Sequence, residues 1–227
     1  MSDPPPAQRD WEAWHRAYEA DTPLRRRLAL VQRRIRERLD AAPPGPIRAI
    51  SACAGQGRDL LGVLAEHPRG RDVAARLVEL DPRNVAEARA AAAAAGLAAV
   101  EVVEGDASTT SAYAGAAPAD LVLLCGIFGN VVEADIARTV ALAPSLCAPG
   151  ATVLWTRHRR APDRTPWIRE RFAEAGFREL GFDAPAGEWF GVGAHRLEGP
   201  PARFEPGLRL FRFVGFDALF RPPPAQS

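Results

Sequence analysis

The chain contains no lysine; all 29 of its basic residues are arginine. This absence excludes the phosphate-binding lysine of a P-loop, any Schiff-base lysine, and the tyrosine and lysine pair of short-chain dehydrogenases. Charge is nearly balanced, with a net value of +1, so no overall field draws the protein to nucleic acid or to an anionic membrane. Cysteine is scarce. Cys53, Cys125 and Cys147 sit far apart in apolar surroundings, which fits neither a metal-binding pair nor a disulfide framework and suits a reducing compartment. No Asp/His cluster suggests a metal site. No apolar run approaches membrane-spanning length, and Met1 to Pro6 lacks the basic stretch and apolar core of a secretion signal. A soluble cytoplasmic protein is expected, and the abundance of Ala, Arg and Pro suggests a GC-rich bacterial genome.

What is present is enough for one well-buried domain: 227 residues, 47% of them hydrophobic. Strand-like runs near 47–53, 74–80, 99–104, 119–125 and 150–156 alternate with helical patterns near 57–67, 82–95, 133–146 and 165–175. Strict alternation predicts right-handed parallel crossovers and a doubly wound α/β sheet. Three further runs, Phe177 to Phe182, Trp189 to Leu197 and Leu208 to Val214, have only turns between them and predict an antiparallel C-terminal edge. Ahead of the first strand, Asp10 to Leu39 reads as helical, with Leu24, Leu28, Val31, Ile35 and Leu39 on one face. The Pro43-Pro44-Gly45-Pro46 cluster stops it. The expected division is an N-terminal helical segment over 1–46, the α/β domain over 47–221 and a mobile tail over 222–227.

The most informative stretch follows the first strand, where Ala54-Gly55-Gln56-Gly57 breaks a small-residue run and a Leu-rich helical pattern begins. Glycines there let the backbone approach a ligand, and a nucleotide-like cofactor is the first expectation. Leu60 stands where a dinucleotide fingerprint has its third glycine, which counts against NAD. Asp81 closes the second strand about two dozen residues on, a place from which a carboxylate reaches both ribose hydroxyls. It equally suits a helix N-cap, because Pro82 follows and opens the next helix. Glu79, two residues earlier, is expected to contribute less.

These landmarks resemble the class I S-adenosylmethionine-dependent methyltransferases. The resemblance rests on Ala54-Gly55-Gln56-Gly57-Arg58-Asp59 for the glycine loop, Val78-Glu79-Leu80-Asp81 for the second strand, Glu104-Gly105-Asp106-Ala107 for the third and Asp120 to Gly126 for the fourth. It covers roughly Arg48 to Arg160. It implies a Rossmann-like seven-stranded sheet, S-adenosylmethionine (SAM) as cofactor and S-adenosylhomocysteine (SAH) as product. It also implies adenine contacts at Asp106 and Ala107, and a helical lid in which Trp14 and Tyr18 close the site. Two positions depart from the pattern: Ser51 replaces the acid that helps hold the cofactor's amino end, and Cys53 replaces a glycine. That contact then passes to a water, to Asp59 or to the N-terminal segment. A non-methylating binding protein with the same fold and a NAD-binding oxidoreductase are the alternatives.

The expected cofactor contacts are thus Ser51, Ala54, Gly55, Gln56, Gly57, Asp59, Asp81, Pro82, Asp106, Ala107, Cys125, Gly126, Ile127 and Tyr18. For catalysis, His158 after the fifth strand suits a general base, since its imidazole titrates near neutrality. A surface histidine in a basic turn is the alternative, with His195 and His15 weaker rivals for the role. Arg157 suits a substrate carboxylate or phosphate, and Asn130 suits substrate positioning or a plain turn. Phe128 suits adenine or substrate packing. With no appendage for a macromolecule, a small-molecule acceptor is expected. Oligomeric state does not follow from the sequence.

Overall fold

The computed structural model describes residues 22–215. Helix α1 (Pro23–Asp40) opens where the Thr22 hydroxyl accepts from the Arg25 N–H at 3.2 Å and Pro23 fills the first turn. The helical pattern expected to run back to Asp10 is therefore broken at Thr22. Residues before Thr22, including Tyr18, Trp14, His15 and Trp11, lie outside the described residues, as do those after Gly215.

Strands β1 (Ile47–Ala52), β2 (Val73–Glu79), β3 (Val100–Glu104), β4 (Ala119–Leu124), β5 (Cys147–His158), β6 (Phe177–Asp183) and β7 (Phe190–Leu197) form one sheet in the order β3-β2-β1-β4-β5-β7-β6. The first five are parallel, and β7 runs antiparallel to both β5 and β6. Helices α2 (Leu60–Leu64), α3 (Pro82–Ala94), α4 (Glu133–Leu142) and α5 (Thr165–Glu174) connect the strands. The expected doubly wound sheet with an antiparallel edge is what forms. Three extents differ: α2 is one short turn-and-a-half rather than the 57–67 helix, α4 ends at Leu142 rather than 146, and β5 begins three residues earlier than the apolar run suggested. Leu208 to Val214 joins no sheet. Apart from one bridge between Thr109 and Arg209, it runs as an irregular strap across the carboxyl edge, with Leu210 and Phe211 buried against the domain.

Alternation along each strand feeds two cores. One face buries Ile50, Val78, Val122, Val153 and Trp155 against α4 and α5; the other buries Ala49, Leu77, Leu121 and Leu154 with α1, α2 and α3. Val31, Ile35 and Leu39 of α1 belong to the second core, so Pro23–Asp40 packs into the domain. Arg33 and Arg34 anchor it to Asp183 of β6 at 2.6 and 2.7 Å. At the antiparallel edge, Trp155 stacks between Phe172 and Phe182 with centroids 6.0 and 5.8 Å away, and its indole N–H donates to His195 Nδ1 at 3.2 Å. Gly193 on β7 makes room for that indole: a Cβ there would lie 2.2 Å from Trp155 Cε2. Among the described residues no helix is long and apolar enough to cross a membrane.

Candidate functional site

Sheet order reverses between β1 and β4, and the loops leaving the carboxyl ends diverge there to leave a crevice. A cavity of about 740 Å³ occupies it, within the range of small-molecule sites. Its walls come from the loops after β1 to β4, the end of β5, the first turns of α1 and the 208–213 strap.

The loop after β1 turns through a left-handed conformation at Cys53 (φ 51°), then Gly55 (56°) and Gly57 (69°). Cys53 thus adopts a turn conformation that favours glycine, at the steric cost of a non-glycine residue in that region. Gly57 is required twice over, by its φ and by a Cβ that would fall 2.7 and 2.8 Å from Leu61 and Leu77 side-chain carbons. Gly57→Ala is expected to destabilise the protein by about 2 kcal/mol or more. Urea unfolding checks this, and a loss below about 0.5 kcal/mol would contradict the packing described.

At the end of β2 the structure separates two acids that the sequence presents side by side. Glu79 lines the cavity; its Oε2 accepts from the Gly55 N–H at 2.7 Å and its Oε1 from Leu80 and Asp81 N–H at 2.9 Å each. Asp81 does not line it. Its carboxylate caps α3 through the Arg83 N–H and grips the Arg83 guanidinium, at 2.8 to 3.1 Å. Those bonds from the Arg83 side chain, outweighing burial, hold the Asp81 carboxyl below the usual carboxylate range. The carboxylate facing the cavity from β2 is therefore Glu79, in the place expected for Asp81.

After β3, Asp106 and Ala107 line the cavity. Asp106 accepts from the Ser108 N–H at 2.8 Å and pairs with Arg209 of the strap at 3.2 Å. Against the upward push of burial, these contacts hold its carboxyl below the ordinary range. After β4, Cys125, Gly126, Gly129 and Asn130 face the cavity while Ile127 and Phe128 turn into the core. Gly126 N–H donates to Thr156 Oγ1 at 2.9 Å and its carbonyl accepts from Asn130 Nδ2 at 2.8 Å, so this loop is fixed to the end of β5. The strap is fixed to it in turn, by Val214 and Gly215 N–H groups on the Asn130 carbonyl.

Asp59 lines the cavity beside Arg27 of α1, and burial pushes its carboxyl up despite a hydrogen bond from the Leu60 N–H and the Arg27 charge. Ser51 is buried within β1 and does not line the cavity; Gln56, Gly57 and Pro82 also lie off its wall. All three thiols are pushed up by burial, Cys147 to about 12, which leaves none poised as a nucleophile.

Arg157 and His158 end β5 on the cavity wall, 7% and 5% exposed. Arg157 donates to the Phe128 carbonyl. Burial and the guanidinium groups of Arg157 and Arg160 bring the His158 imidazole down to about 4. The ring is neutral at physiological pH and is a far weaker base than the unperturbed imidazole expected from sequence. Residues that sequence reasoning missed are Glu79, Leu80, Asn84, Thr156, Trp189 and the strap's Arg209 and Arg212. Of these only Glu79 carried a readable signal, an acid at the true end of a strand.

No protein-family profile and no curated protein matches the sequence. Solved structures do match the fold. Magnesium protoporphyrin IX methyltransferase from Synechocystis PCC 6803, solved with bound SAM, aligns with a TM-score of 0.64 at 11% identity over 83% of this chain and 91% of that one. An O-methyltransferase family protein from Burkholderia thailandensis aligns at 0.56 and 19% identity over 73% of this chain; the chain spans 55% of that protein's length. A possible exported protein from Bordetella parapertussis aligns at 0.58 and 18%, over 79% of this chain and 68% of that one. Strand order and these alignments together make the fold the Rossmann-like methyltransferase fold.

Proposed function

We propose that this chain is a SAM-dependent methyltransferase that moves the sulfonium methyl to an O, N or C nucleophile of a small molecule. The observation that carries the reading is the arrangement of groups around one cavity at the carboxyl edge of the sheet. A glycine turn, then Glu79, then Asp106 with Ala107 face it from three successive strands. Glu79 takes the two ribose hydroxyls and Asp106 the adenine amino group. Asp59 and Arg27, opposite charges at one end of the cavity, match the ammonium and carboxylate of the cofactor's amino-acid end. An ammonium there stabilises a carboxylate that burial otherwise disfavours, and it relieves the need for an acid at Ser51.

When bound, the cofactor supplies an already activated methyl group. The chain's own work is then to align the acceptor and to keep water out. Asn130, held by Gly126, and neutral His158 orient the acceptor by hydrogen bonds, with His158 a weaker proton acceptor than an unperturbed imidazole. Calorimetric titration with SAM, SAH and NAD is the test. Micromolar binding of the first two and none of NAD is expected; folded protein that binds neither SAM nor SAH overturns the reading.

A further inference from the structure

The cavity's carboxylates are confined to one half, where Arg27, Arg58 and Arg209 accompany them. Its three lining carboxylates, Asp59, Glu79 and Asp106, lie in the loop after β1, at the end of β2 and in the loop after β3. The other half, formed by the end of β5, the start of β7 and the strap, presents Arg157, Arg160 and Arg212 with the rings of Trp189 and Phe213, and no lining carboxylate among the described residues. Acids close to this half are already engaged. Asp163 accepts from Arg159 and Thr165, Glu133 pairs with Arg164, and Asp135 holds Arg138 and the Arg212 N–H. Arg157 is 7% exposed, and its Nε has no hydrogen-bond partner among the described residues. Burial disfavours the Arg157 charge, which Glu133 and Asp163 support only through space, and an incoming anion offsets that cost.

Aromatic surface accompanies the charge. Trp189 is 36% and Phe213 42% exposed, large for such side chains, and the Arg160 guanidinium lies 5.4 Å from the Trp189 ring centroid. A flat ring between these side chains would cover apolar surface while its charged substituent meets the guanidinium groups.

We propose that this half of the cavity receives an acceptor consisting of an aromatic ring with an anionic substituent, bound by Arg157, Arg160 and Arg212 and stacked on Trp189. The assignment rests on the cofactor occupying the other half. It goes beyond a small-molecule acceptor by setting both charge and shape.

The test is calorimetric titration of the full chain with benzoate, phenyl phosphate, inorganic phosphate, benzamide and benzylamine, each with and without saturating SAH. The aromatic anions are expected to bind about tenfold or more tightly than benzamide, and benzylamine least well. Arg160→Gln and Arg212→Gln, both at the cavity mouth, should weaken the aromatic anions about threefold or more and leave SAH affinity unchanged. Trp189→Ala should weaken phenyl phosphate and spare inorganic phosphate. Aromatic anions that bind no better than benzamide up to about 10 mM, or that lose nothing in the arginine variants, overturn the proposal. Because SAH affinity is read in the same experiment, the two readings fail separately. Absent SAH binding with the anion preference intact removes the cofactor assignment, whereas normal SAH binding without that preference removes only the acceptor assignment.

Discussion

Replacing Glu79 with alanine should weaken SAM binding about 100-fold, while Asp81→Ala should change it less than about threefold. Two hydroxyl hydrogen bonds to a carboxylate contribute roughly 1.5 kcal/mol or more each, which together give the hundredfold figure. Glu79 also holds the glycine loop through the Gly55 N–H and its own strand end through Leu80 and Asp81. Part of the loss is therefore structural, and Glu79→Gln separates the two contributions. The amide still accepts from Leu80 and Asp81, but its NH2 meets the Gly55 donor and its charge is gone. Asp81→Ala removes an N-cap and costs about 1 kcal/mol of stability, detectable in a thermal melt rather than in a titration. The opposite ranking, with Asp81 decisive and Glu79 dispensable, would sink the assignment.

Acid should destabilise the protein well above the pH at which carboxylates begin to protonate. His158 and His195 are both almost fully buried, and burial first of all brings each imidazole down to about 4. Both therefore stay neutral in the folded chain between pH 6.5 and about 4 while the unfolded chain takes up a proton at each. At these two rings the unfolded state binds more protons throughout that window, so their contribution to stability falls as pH drops through it, offset in part by Asp59, whose raised carboxyl takes up its proton first in the folded chain. A displacement from 6.5 to about 4 corresponds to roughly 3 kcal/mol per ring once pH reaches the lower value. Urea unfolding at pH 7, 6, 5 and 4.5 measures this. His195→Gln should remove about half of the slope, and an unchanged midpoint between pH 7 and 5 would contradict the description of both sites. Asp81, Asp106, Asp163 and Asp183 have depressed values, so their contributions are lost only at still lower pH.

The sheet was legible because each parallel strand is a bounded apolar run and each crossover a helical pattern. The glycine loop was legible because few sequences other than a tight turn need Gly55 and Gly57. Discrimination failed where two residues of one type compete for one role. Val78-Glu79-Leu80-Asp81 holds two acids, and only the position at which β2 stops, with Pro82 claiming Asp81 for the helix cap, decides between them. Leu208 to Val214 failed for a different reason. Its apolar content suits a strand, but β6 and β7 already complete the edge, and the neighbouring pair Leu210 and Phe211 are both buried, which no half-exposed strand permits. The basicity of His158 was not legible because it is set by burial, Arg157 and Arg160, and the burial is a property of the assembled sheet.

Strand β6 touches the sheet only through β7, which follows it in the chain. It cannot join in order of synthesis; it must wait for β7 to reach β5, or arrive as a hairpin already paired. The glycine loop and Glu79 lie among neighbours close in sequence, whereas the arginine-bearing wall depends on this late docking and on the strap. Local pairings form early and distant ones late. The half of the cavity built on β1, β2 and β3 is thus the one to assemble first, and the arginine-bearing half is the one to loosen first when the protein is stressed.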